Sequence, residues 1–180
     1  MNKNLVGIAV LLDEYLFNKA RELEINISKK FLVRKGLSQS PHITVKRPFL
    51  VDDEKLQELF DYIQELKEDI KPFDITINNY GFFEPTVAYL NVIKSEQLLQ
   101  LHNTINQDLL KRFSIEIGPR EGDDIIFHST LALSDFDQNT FTEIKNYLLS
   151  IPINHTFQIG EIALFYKVDD YWIIANKSSI

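Results

Sequence analysis

Two rhythms of apolar positions alternate along the chain. Leu5 to Leu12, LVGIAVLL, is a continuous apolar run, the pattern of a strand covered on both faces. From Asp13 onward Leu16, Ala20, Leu23, Ile27 and Phe31 recur every three or four residues, which marks one face of a helix. HITVKRPF, from His42 to Phe49, reads as a second strand that Pro48 should end. Asp52 and Asp53 then supply an N-cap and a first-turn carboxylate for a helix with Leu56, Leu59, Phe60, Ile63 and Leu66 on its apolar face, stopped by Pro72. FDITINNYGFF and TVAYLNVI follow as strands around a kink at Gly81 and a turn at Glu84-Pro85.

The second half repeats this order. Ser95 caps a helix through Leu98, Leu101, Ile105 and Leu109, and IIFHSTLAL is the next strand. Thr140 and Glu143 have the spacing of a capping box ahead of Ile144 and Leu148, Pro152 closes that helix, and TFQIGEIALFY and YWIIAN complete the chain. The first strand aligns with Thr86 to Ile93, Phe31 with Phe113, and His42 with His128; the spacing widens after Phe113, which places an inserted loop at GPREGDD, residues 118–124. A duplication explains this register. The expected architecture is α+β: one bilobal domain over residues 1–180, with repeats of about 1–85 and 86–180 related by a pseudo-twofold axis. Each lobe should carry a mainly antiparallel sheet and two helices, with a groove between the lobes.

Composition narrows the field. With 44% hydrophobic and 25% charged residues the chain is of the folded, globular kind, and 180 residues suffice for one core. A net charge of -7 argues against tracking long duplex nucleic acid, which needs clustered cations. The absence of cysteine removes thiolate chemistry and Cys-based zinc sites. The N-terminal apolar octet is followed at once by Asp13 and Glu14, so it reads as a strand and not as a signal segment or membrane span. A cytoplasmic, monomeric protein with no membrane partner is the expectation.

The chemistry concentrates in HITV (His42 to Val45) and HSTL (His128 to Leu131). Strand alternation puts His42, Thr44 and Lys46 on one face and Ile43 and Val45 on the other; His128 and Thr130 share a face with Ala132 and Ser134. A lone strand histidine is usually only packed or solvated, but two at equivalent repeat positions would meet in one groove. Two imidazoles suit phosphodiester chemistry without a metal: one takes a proton, the other donates one to the leaving oxygen, and the threonine hydroxyls hold non-bridging oxygens. Metal ligation fits poorly, because neither histidine has Asp, Glu or Cys at ligand spacing.

On these motifs the chain resembles the 2H phosphoesterase superfamily, defined by two H-x-[ST]-hydrophobic motifs, and within it the bacterial 2′-5′ RNA ligase and cyclic phosphodiesterase branch. The resemblance extends over almost the whole chain, to the late stretch LFYKVDDYW. It implies a bilobal α+β fold and a cofactor-free enzyme acting on nucleotides or short RNA with 2′,5′ or 2′,3′-cyclic phosphodiesters. His42 and His128 would be acid and base, and Thr44 and Thr130 the phosphate holders. Ser129 departs from the family, which more often has an apolar residue there. A nucleotide- or RNA-binding module of the same fold with little turnover is the alternative.

Around the motifs, Lys46 should add a cation on the His42 side, where the repeat has Ala132; Arg47 falls on the opposite face by strict alternation. Arg120, in the inserted loop, could reach a phosphate. Phe83 and Tyr166 could stack a base. His102 and His155 read as surface residues, and Asp52-Asp53-Glu54 and Asp123-Asp124 as solvated charge.

Overall fold

The computed structural model describes residues 3–133 and 136–180; Ser134, grouped above with the His128 face, falls outside them. The element order is β1 (Lys3–Leu11), α1 (Glu14–Phe31), a 3-10 turn (Lys35–Ser38), β2 (His42–Asp52), α2 (Asp53–Asp69), β3 (Asp74–Phe83), β4 (Val87–Val92), α3 (Glu96–Phe113), β5 (His128–Leu133), α4 (Gln138–Leu149), β6 (Asn154–Gln158), β7 (Glu161–Val168) and β8 (Tyr171–Ser179).

Local chemistry sets most of these boundaries. Asp13 caps α1 through Leu16 N at 2.9 Å, and Ser95 caps α3 through Leu98 N at 3.2 Å, each answering an otherwise orphaned helix donor. The cap of α4 is Asp137, whose carboxylate accepts from Thr140 N at 2.8 Å; Thr140 therefore sits inside the first turn and not at the cap. Pro48 does not end β2, because β2 is an edge strand and can lose one donor without breaking a ladder. TFQIGEIALFY is two strands: at Ile159-Gly160 the chain leaves one sheet for the other.

The strands form two four-stranded antiparallel sheets, ordered β2-β1-β7-β8 and β5-β4-β3-β6. The triplets β2-β1-β7 and β5-β4-β3 are equivalent, as the duplication requires. Yet each sheet takes its third strand from the other half of the sequence, so β7 completes the sheet that β1 begins and β3 completes the sheet that holds β5. Helix α2 lies against β8, β7 and β2 and α3 against β2; α1 packs on β5 and α4 on β3. One contiguous apolar core joins both sheets, from Val6 and Ile8 through Ile105 and Leu109 to Leu131 and Leu164. The two motif strands, β2 and β5, lie against each other.

Candidate active site

Both motif strands carry the same irregularity. In β2, Thr44 pairs with Ala9 and Lys46 with Ile8, leaving Val45 as an extra residue; in β5, Thr130 pairs with Tyr89 and Ala132 with Ala88, leaving Leu131 extra. A bulge of this kind lets two successive side chains turn to the same side. Val45 and Lys46 are both buried, as are Leu131 and Ala132. His42 and Thr44, and His128 and Thr130, come before the bulge of their strand and keep its alternation.

This overturns the expected place of Lys46. Its side chain is 2% exposed, and its ammonium donates to Glu121 Oε2 at 2.8 Å, Asn106 Oδ1 at 2.8 Å and the Glu116 carbonyl at 3.2 Å. Lys46 still borders the cavity beside His42, but with its ammonium so engaged the exposed cation at the groove is Arg47, which strict alternation would have sent the other way. Arg47 is exposed, donates through Nη1 to the Pro119 carbonyl at 2.8 Å, and borders the same cavity as His128. Glu121 ties these pieces together, accepting from Lys46, from Arg47 N at 2.8 Å and from Gly118 N at 2.6 Å.

His102 is likewise not a surface residue. It is fully buried, with Nδ1 2.6 Å from the carbonyl of the bulged Val45 and Nε2 2.8 Å from the Glu121 carbonyl. It straps the β2 bulge to the inserted loop. Gly36 does the corresponding service on the other side by being small: a Cβ there would stand 2.4 Å from the carbonyl of Leu131, the bulged residue of β5. His155 is partly exposed, with Nε2 2.8 Å from Asp13 Oδ2.

The two candidate histidines are held alike. His42 Nδ1 donates to the Ser40 carbonyl at 2.7 Å and His128 Nδ1 to the Ile126 carbonyl at 2.8 Å, each two residues upstream. With Nδ1–H so engaged, Nε2 is the nitrogen with a free lone pair in the neutral ring. The Thr44 hydroxyl lies 3.2 Å from His42 Nε2. Burial pushes the His42 pKa down to about 4, against a smaller upward pull from the Ser40 carbonyl, and the charge of a protonated His128 opposes it further. His128 is also lowered, first by burial and then by the Arg47 guanidinium.

Aromatic neighbours differ between the two sides. Phe165 stacks against His42 with ring centres 4.3 Å apart, and its repeat counterpart Phe83 meets His128 edge-on at 5.1 Å. Tyr166, the expected aromatic, is on the wrong side of β7: its hydroxyl donates to Asn4 Oδ1 at 2.6 Å and its ring packs on the main core. Beside His128 the Tyr89 ring lies 5.0 Å away and over Gly81, where any Cβ would strike it at 2.2 Å. The ladders pair Thr44 with Ala9 and Thr130 with Tyr89, so the first strand matches its repeat one residue away from the expected register, and the strand pair that answers Tyr89 and Gly81 beside His42 is Ala9 and Ala163.

Two cavities result, sharing Thr44 and Pro48. One of about 100 Å³ borders His42, Thr44, Phe165, Gln39 and Trp172; the other, of about 440 Å³, borders His128, Arg47, Phe83, Arg120, Asp124 and Ile126. Arg120 has a left-handed backbone, φ 63°, which costs about 1 kcal/mol for a residue with a Cβ. Thr130 lies on β5 opposite Tyr89, two residues beyond His128. Ser129 is fully buried on the core side, its hydroxyl without a hydrogen-bond partner among the described residues. Among those residues no three His, Cys, Asp or Glu side chains gather as a metal site, and no helix is long and apolar enough to cross a membrane.

The chain and its fold have known counterparts. Residues 16–170 match the 2′-5′ RNA ligase superfamily. A relative from Oceanobacillus iheyensis, provisionally named a phosphoesterase, is 25% identical over 166 residues, covering 91% of this chain and 90% of its own; one from Bacillus licheniformis, named likewise, is 29% identical over 134 residues, or 72% and 73%. Among solved structures, TT0787 of Thermus thermophilus superposes with a TM-score of 0.68 at 15% identity over 97% of both chains. Escherichia coli LigT superposes with a TM-score of 0.62 at 16% identity over 100% of this chain and 99% of its own. The chain belongs to the 2′-5′ RNA ligase superfamily, the 2H phosphoesterases, and is an enzyme of the phosphodiesterase type.

Proposed function

We propose that the protein is a metal-independent phosphodiesterase acting on 2′,5′ or 2′,3′-cyclic phosphodiesters of nucleotides or short RNA ends, by two-histidine acid-base catalysis. The observation that carries this reading is the matched pair of tethers: each Nδ1–H is fixed by a backbone carbonyl, so both Nε2 atoms are held for proton transfer around one groove. His42, kept neutral with its pKa near 4, is the base. His128 is the acid: burial and, less, the Arg47 charge lower its pKa in the free enzyme, and a phosphodiester anion bound beside Arg47 raises it again, favouring the protonated ring. Thr44 and Thr130 hold non-bridging oxygens, Arg47 and Arg120 neutralise charge as it builds, and Phe83 offers a ring to the base. That LigT has been solved with 3′-AMP and with ATP supports a nucleotide ligand in this fold. A monomer in the cytoplasm, with no long duplex as partner, fits the acidic chain.

The test is incubation with 2′,3′-cyclic nucleotides, ADP-ribose cyclic phosphate and 2′,5′-linked oligonucleotides in the presence of EDTA. Turnover of at least one substrate, undiminished by EDTA, is expected. Loss of all turnover to EDTA would sink the metal-free mechanism, and nucleotide binding without turnover would favour a binding module instead.

A further inference from the structure

The two sides of the groove are equivalent by descent but not in the room they offer. Beside His128 the space is about 440 Å³ and opens between Phe83, Ile126 and Arg120. Beside His42 it is about 100 Å³, enough for a few waters. Ala9 lines a narrow hollow there, and Gln39 and Trp172 wall it. Gln39, just before β2, forms a backbone bridge with Trp172 at the start of β8, and both border the hollow together with His42 and Phe165. That wall is held from outside as well: Arg21 donates to the Gln39 carbonyl at 2.8 Å, and Lys167 lies 5.6 Å from the centre of the Trp172 ring.

We propose that the Gln39–Trp172 bridge is a specificity gate that admits water, but not a second nucleoside, to the His42 side, so that the enzyme hydrolyses cyclic phosphodiesters and neither joins nucleotides nor cleaves dinucleotides. The proposal rests on the phosphodiesterase reading above. In a 2′,3′-cyclic nucleotide both ester oxygens belong to one ribose, and one nucleoside fills the wide side. Water enters under the gate and gives a proton to His42 Nε2. Its oxygen bonds to phosphorus, the bond from phosphorus to one ribose oxygen breaks, and His128 protonates that oxygen, leaving a nucleoside monophosphate. Ligation would need the 5′-hydroxyl of a second nucleoside where the water stands. Cleavage of a 2′,5′-linkage by the neighbouring 3′-hydroxyl would need the departing 5′-nucleoside in the same place. The gate excludes both.

The test compares 2′,3′-cyclic AMP with 2′,5′-linked diadenosine monophosphate as substrates of the wild-type protein and of Trp172→Ala and Trp172→Phe. The wild type should open the cyclic nucleotide at least about 100-fold faster than it cleaves the dinucleotide, and Trp172→Ala should narrow that ratio by about tenfold or more, with Trp172→Phe between. Because the wild-type ratio stands without any variant, a misfolded variant does not spare the proposal. Wild-type cleavage of both substrates at similar rates overturns the gate and leaves the phosphodiesterase reading intact. A ratio unmoved in folded Trp172→Ala also overturns it, whereas no turnover of either substrate removes the underlying reading.

Discussion

His42 carries a measurable signature apart from catalysis. Its pKa falls from 6.5 to about 4 on burial, so between those values the unfolded chain takes up a proton that the folded chain refuses. The stability this contributes is complete above about pH 6.5 and is lost as pH falls through about 4. Urea midpoints across that range should drop for the wild type and drop less for His42→Ala. Glu24 acts in the opposite sense: burial on α1 raises its pKa from 4.5 to about 8 despite the nearby Arg21, so its contribution is present below 4.5 and lost as pH rises through about 8. Glu24→Gln should therefore raise the melting temperature at alkaline pH and change it little in acid. Ser129→Ala should gain about 1 kcal/mol by removing a buried hydroxyl that has no partner, seen as a higher denaturation midpoint. The placement of His42 and His128 could be read from the sequence because each comes before the bulge of its strand, where alternation still holds. That of Tyr166 could not: the strand pairing equates Gly81 with Ala163 and so Phe83 with Phe165, one residue earlier, a register that the sequence pattern does not reveal because apolar character alone does not separate neighbours on a strand.

At the scale of elements, the β2 bulge is what sequence reasoning missed, and it exchanges the roles of Lys46 and Arg47. A bulge has no reliable sequence signal, but a lysine followed by an arginine on an otherwise apolar strand was a hint that one of them had to find a buried partner. That partner, Glu121, lay hidden in the inserted loop. Together Lys46, Glu121, Asn106 and His102 fix the loop that carries Arg120 and the strand that carries Arg47. Lys46→Met alone should cost about 3–5 kcal/mol by leaving the Glu121 carboxylate buried and unpaired, and Lys46→Met with Glu121→Leu should recover much of it. A positioning role predicts more than a stability change. In the stable double variant the backbone N–H of Arg47 loses its carboxylate acceptor and the strand that carries its guanidinium is freed, so the smaller, charge-borne part of the lowering of His128, beneath that due to burial, should weaken and the His128 pKa should rise. An NMR titration of the His128 ring reads this; an unmoved pKa would confine the network to stability.

For the whole molecule, duplication was legible in the spacing of the two motifs, but the exchange of third strands was not, because pairing between distant strands leaves no mark on local pattern. Since β7 completes the sheet begun by β1 and β3 the sheet that holds β5, neither half closes its own sheet. The chain should unfold in a single cooperative step, and fragments 1–85 and 86–180 should each fail to fold alone while regaining structure when mixed; far-UV circular dichroism checks this. The same exchange binds both histidine strands to one core, as the proposed catalytic pair requires. The most direct test of that claim is the single-turnover rate on a 2′,3′-cyclic nucleotide for His42→Ala, His128→Ala and the double variant. Each single change should cost about 10²- to 10⁴-fold, and the double change should fall well short of the product of the two. Near-normal turnover by either single variant, in a folded protein, would contradict the account.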